Sequence, residues 1–133
     1  KVRDSDGEEG WMHVSLLSSR RTALITGDTR ELPRWVGQAR FTHLATDIPY
    51  GVQHTAPGGT RDPLGVLREA APVWFARMRP GAALVISFNA LLPRRSALIE
   101  AFEAAGLRAV PFSAPHRMSE SILRDFVVFV RPA

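Results

Sequence analysis

Short apolar runs separated by polar punctuation set out the elements of this chain. Residues 22–27 read as a strand ending in Gly27-Asp28, followed by a turn into a helix near Pro33. Residues 41–46 form a second apolar run of buried-strand type. Asp62-Pro63 pairs an N-cap residue with a proline suited to a first helical turn, and Leu67, Ala71, Trp74, Phe75 and Met78 then recur at helical spacing. Pro72 lacks a backbone N–H and its ring crowds the preceding turn, so it is expected to kink that helix or divide it in two. Arg79-Pro80-Gly81 ends the helix, and residues 82–88 are apolar in the manner of a strand buried on both faces. An amphipathic helix over 95–105 turns Leu98, Ala101, Phe102 and Ala105 inward and stops at Gly106. Residues 107–112 and 125–130, rich in Val and Phe, read as the last strands. This alternation of strands and helices predicts an α/β fold.

The candidate chemistry stands at the end of the second strand, in Asp47-Ile48-Pro49-Tyr50. A nitrogen conjugated with a ring is a poor nucleophile, because its lone pair is delocalised. A carboxylate on Asp47 and the backbone carbonyl of Ile48 can accept the two N–H bonds of such an exocyclic amine. They would orient its lone pair and stabilise the charge that develops on nitrogen. Tyr50 offers a ring that can stack on a planar group, and Pro49 restricts Ile48 to extended backbone angles. Open α/β sheets place their ligands at the carboxyl ends of strands. A strand that simply ends in an Asp and Pro turn is the structural alternative.

The tetrapeptide resembles the Asp/Asn-Pro-Pro-Tyr/Phe signature of S-adenosylmethionine-dependent amino methyltransferases. With Gly51-Val52-Gln53-His54 after it, it is similar to the THUMP-associated RNA guanine-N2 methyltransferases. Ile48 replaces a proline of the best-known versions; it keeps the carbonyl acceptor and gives up stiffness. The resemblance implies catalytic roles for Asp47, Ile48, Pro49 and Tyr50 and cofactor binding at Asp28 and Thr29, the Asp28 carboxylate accepting the adenine amino group. A cap for the helix that follows is the structural alternative for Asp28. The family's Rossmann-like class I sheet, whose last strand runs antiparallel after a long hairpin, is expected in its C-terminal portion only. No Gly-x-Gly follows an apolar strand, and Gly58-Gly59 lies in a polar stretch. Residues 1–133 are therefore expected to be a partial methyltransferase domain, with a flexible loop over 1–12. Its N-terminal strands would be supplied upstream or by a partner chain, and without them the strands ending at Asp28 and Asp47 would have open edges.

Composition changes this picture little. The chain has no cysteine, which excludes disulfides and cysteine metal sites, and no apolar run long enough to span a bilayer. A cytoplasmic enzyme fits. The net charge of +4 suits a polyanionic partner, although all the basic residues except Lys1 are arginine, a bias that genome composition can produce. His13, His43, His54 and His116 lack metal-ligand spacing, so no metal is expected. Trp74 reads as core, and Arg94, Arg95 and Arg117 are candidates for phosphate contacts. The expected activity is methylation of an exocyclic base amine of RNA, guanine N2 in tRNA first. Adenine-N6 methylation of nucleic acid, glutamine methylation in a protein, and a non-catalytic RNA-binding module of the same fold are the alternatives.

Overall fold

The computed structural model describes residues 12–17, 22–48 and 63–133. Strands β1 (Met12–Leu17) and β2 (Thr22–Gly27) pair antiparallel as a separate two-stranded sheet. A 3-10 turn over Thr29–Glu31 leads into the short helix α1 (Leu32–Val36). The main sheet follows, with β3 (Phe41–Asp47), β4 (Met78–Asn89), β5 (Arg108–Val110), β6 (His116–Ser119) and β7 (Ile122–Val130). Helix α2 (Leu64–Arg77) connects β3 to β4, and α3 (Arg95–Glu103) connects β4 to β5.

Sheet order is β3-β4-β7-β5, with β6 pairing the start of β7. β3 and β4 run parallel, while β7 lies antiparallel to β4, β5 and β6. The last strand thus enters between β4 and β5 in the reverse direction, as the sequence resemblance implies. Strand β3 has β4 as its one neighbour, so its other edge is unpaired among the described residues.

One face of the sheet is covered. Ala82, Leu84, Ile86 and Phe88 of β4 alternate inward with Val127 and Phe129 of β7, packed with Leu67, Ala71 and Trp74 of α2 and Leu98 and Phe102 of α3. The ring of Phe102 lies 5.6 Å from that of Trp74 and 5.2 Å from that of Phe129, which ties both helices to the sheet. On the other face Ala83, Val85, Phe126, Val128 and Val130 are half-buried. The expectation that 82–88 is buried on both faces is corrected to burial on one. The same holds for β3, where Leu44 is half-buried and Ala45 is exposed. Apolar composition does not tell a covered face from an uncovered one.

Three further details depart from the sequence pattern. Helix α2 runs unbroken through Pro72. Both Pro72 and Arg68, whose carbonyl loses its partner there, are exposed, so water can satisfy the freed group. The sequence assigns no element to Met12–Leu17, which forms β1; the expected loop over 1–12 lies, apart from Met12, outside the described residues. Strand β4 starts at Met78, taking in the Arg79-Pro80-Gly81 stretch read as a helix stop, with Gly81 at φ 81°. Gly106 does end its helix, at φ 108°, and a Cβ there would come within 3.0 Å of the Phe75 ring.

Candidate active site

Asp47 is the last residue of β3, paired in register with Ser87 of β4, and its side chain is exposed. Parallel strands β3 and β4 therefore present their carboxyl ends side by side, with an exposed carboxylate at that end. Ile48 behaves differently. It is 2 % exposed and part of the core, and its N–H donates to the Ser87 carbonyl at 3.1 Å. The branched side chain thus anchors from below the peptide that proline would stiffen through its ring, and the peptide after Asp47 is held from both sides. Pro49, Tyr50, His54, Gly58, Gly59 and Asp62 lie outside the described residues.

Asp28 follows β2 and caps the 3-10 turn, its Oδ1 accepting from the Arg30 backbone N–H at 2.9 Å. The Arg30 guanidinium also grips the carboxylate, with Nη2 2.6 Å from Oδ2. Those bonds hold the Asp28 carboxyl below its usual range despite the opposing effect of partial burial, so it is an ionised acceptor at neutral pH. Thr29 is buried, and its hydroxyl accepts from Trp74 Nε1 at 2.7 Å. Its side chain is spent on the core. Any contact of Thr29 with a ligand falls to its backbone.

Close approach explains Gly27. A Cβ at that position would stand 2.5 Å from Cε2 and Nε1 of Trp35, so the indole ring covers the glycine next to Asp28. This contact is invisible in sequence, where Gly27 reads only as turn punctuation. Arg34 lies over the outer part of the same ring, 5.2 Å from its centroid.

The arginines singled out by sequence separate into two kinds. Arg95 is structural: Nη1 donates to Asp125 Oδ2 at 3.2 Å and to the Phe126 carbonyl at 2.8 Å, and Nη2 donates to the Phe112 carbonyl. Arg94 is exposed, and Arg117 is exposed and donates to the carbonyls of Ser119 and Glu120 in its own turn. His43 is exposed and meets the Thr42 hydroxyl at 3.1 Å. Among the described residues no group of His, Cys, Asp and Glu is arranged to hold a metal ion, and no helix is long and apolar enough to cross a membrane.

Comparison with known proteins places the fold. No family profile matches the chain, and no curated protein does. Among solved structures it is similar to TrmN from Thermus thermophilus, at 15 % identity and a TM-score of 0.59 over 80 % of this chain and 27 % of that one. The N-methyltransferase NodS from Bradyrhizobium japonicum WM9 aligns at 14 % identity and a TM-score of 0.54, over 80 % of this chain and 58 % of that one. The chain thus spans about a quarter of the one structure's length and under two thirds of the other's.

Proposed function

We infer that the sheet, which has its reversed last strand inserted beside β4 and is similar to those of methyltransferases, serves the same kind of chemistry. We propose that the chain carries the target-binding part of an S-adenosylmethionine-dependent methyltransferase acting on an exocyclic base amine of RNA, with guanine N2 in tRNA as first choice. The observation that carries this reading is the exposed Asp47 carboxylate beside buried Ile48, whose N–H is bonded to β4, at the carboxyl end of β3. Asp47 accepts one N–H of the amine and the Ile48 carbonyl the other, which aims the nitrogen lone pair and stabilises the cation formed as it gains a carbon. Tyr50 takes the stacking role that the tetrapeptide resemblance implies.

An acceptor for the adenine end of the cofactor is also present. An ionised, partly exposed carboxylate on Asp28, next to a close-packed glycine, suits an exocyclic amino group. S-adenosylmethionine supplies a methyl group made electrophilic by its sulfonium. This chain's own contribution is to hold the amine and the adenine.

Support for a nucleic-acid partner comes from the same end of the sheet. Leu91, Leu92 and Met118 are large apolar residues left exposed there, beyond the row in which Asn89, Arg124 and His116 pair, and Phe112 is exposed just after β5. Exposed Arg94 and Arg117 flank them; of the acids at this end Asp125 is neutralised by Arg95, while Asp47 and Glu120 are exposed. Apolar surface with arginine beside it suits bases and phosphates. The open edge of β3 and the half-buried second face of the sheet suit a further parallel strand and its covering helices, from the rest of the polypeptide or from a partner chain.

Asp47→Ala in the complete protein tests the reading. Methyl transfer to RNA should fall on the order of a hundredfold or more, with cofactor affinity nearly unchanged. Near-normal turnover in a folded variant removes the assignment.

A further inference from the structure

Both oxygens of Asp28 are engaged by a single residue. Oδ1 accepts from Arg30 N at 2.9 Å and Nε at 3.1 Å, and Oδ2 accepts from Nε at 3.2 Å and Nη2 at 2.6 Å. A carboxylate offers about four lone-pair sites, and three N–H groups of Arg30, with the single Nε–H shared between the two oxygens, occupy most of them. An adenine amine directed at the same oxygens meets the guanidinium first. The cap needs only the Arg30 backbone N–H, so the turn does not depend on the side-chain fork.

Arg30 has a second acid within reach. Its Nη1 stands 3.6 Å from Oε2 of Glu69 on α2, and the Glu69 side chain is 66 % exposed. The frame between the two acids is fixed, because Thr29 is bonded to Trp74 of the same helix. Only the Arg30 side chain has to move for the guanidinium to pass from Asp28 to Glu69, and it stays ion-paired throughout.

We infer that Arg30 sets cofactor affinity by competing with the adenine amine for Asp28, and that Glu69 receives its guanidinium when adenine binds. The inference rests on the reading of Asp28 above. A ligand that must displace an internal partner binds with an affinity reduced by the fraction of molecules in which that partner occupies the site. Removing Arg30 lifts that reduction. Removing Glu69 deepens it, since the released guanidinium then has no acid to go to.

Calorimetric titration of S-adenosylhomocysteine into the complete protein that carries these residues tests this without any turnover measurement. Arg30→Ala should bind about two- to tenfold more tightly than the parent, the range that an exposed ion pair allows. Arg30→Gln should do the same, so the result does not depend on one variant folding well. Glu69→Gln should bind roughly two- to fivefold more weakly. In the Arg30→Ala background Glu69→Gln should have no further effect, because Glu69 acts through Arg30 alone. Asp28→Ala separates the two levels: unchanged affinity there removes the adenine reading itself. If Asp28→Ala weakens binding while both Arg30 variants bind no better than the parent, the competition is overturned. A Glu69→Gln effect that persists without Arg30 overturns the hand-over.

Discussion

Trp74 Nε1 donates to the Thr29 hydroxyl at 2.7 Å, joining the C-terminal part of α2 to the turn that displays Asp28. Both residues are buried, at 3 % and 1 % exposure, so neither group has water as an alternative. The same indole packs on Phe102, which packs on Phe129 of β7. The position of Asp28 is thereby referred through α2 and α3 to the main sheet, although β2 itself belongs to a separate one. Thr29→Val keeps the shape and removes the acceptor, leaving the indole N–H unsatisfied at a cost of about 1–3 kcal/mol in unfolding free energy. Trp74→Phe loses ring volume as well as the donor. Combined with Thr29→Val it should cost clearly less than the two single changes added together, because each single variant strands the other's polar group. Urea unfolding of the four proteins measures this, and strict additivity would show that the bond contributes nothing.

Asp125 is a buried carboxylate that holds the loop between β5 and β6. Its Oδ1 accepts from Ala114 N at 2.7 Å and Phe126 N at 2.8 Å, and its Oδ2 from Ser113 Oγ at 2.8 Å and Arg95 Nη1 at 3.2 Å. Burial pushes its carboxyl up, but the Ala114, Ser113 and Phe126 bonds with the Arg95 charge outweigh that and hold it below the usual range. A carboxyl depressed in the folded state adds stability that is complete above the unfolded value and is lost as pH falls through the folded one. Asp125→Asn should therefore lower unfolding free energy at neutral pH by about 1–3 kcal/mol. The gap to the parent should narrow as the pH drops below the ordinary carboxylate range. Urea titrations across that range check both parts, and a gap independent of pH would mean that the charge is not what matters.

How much of this was legible in sequence depends on what each residue type encodes. The helix faces and five of the strands followed from apolar spacing, β1 and β6 did not, the reversed last strand came from the family resemblance, and Trp74 reads correctly as core because it shares a helical face with Leu67 and Ala71. Asp47 stood out through its neighbours Pro49 and Tyr50, and the structure places its carboxylate at a strand end. The bond from Trp74 to Thr29, the ring over Gly27 and the Asn89 side chain that accepts from Leu91 N and Leu123 N were hidden. Each is a contact between residues whose partners are set by packing, and no local pattern records it. The unbroken α2 was missed for a related reason, since the cost of Pro72 depends on whether Arg68 faces water.

Gly27→Ala probes the cover over the site. The new methyl would overlap Trp35 Cε2 and Nε1 at 2.5 Å, and the indole, already 36 % exposed, is the part that can give way. Trp35 should swing outward at a cost of about 1–3 kcal/mol, the range for overpacking. Tryptophan fluorescence should shift toward longer wavelength. In a Trp35→Leu background the same substitution should cost markedly less. An equal cost in both backgrounds would place the strain in the β2 backbone instead of the ring.

The unpaired side of β3 gives the last test. In the complete protein, a neighbouring parallel strand would protect the β3 amides that point away from β4, whereas in residues 1–133 alone those amides have no described partner. Hydrogen exchange on the two proteins should therefore differ most at Thr42–Thr46, with the outward amides exchanging freely in the short chain and slowly in the complete one. The amides that β4 holds should be similar in both. The short chain should also self-associate, since an open edge beside the half-buried Val85, Val128 and Val130 recruits strands from other molecules. It should bind S-adenosylhomocysteine weakly despite an intact Asp28. A monomer in solution that binds the ligand as tightly as the complete protein, with the same exchange pattern in β3, would show that no further strand belongs at this edge.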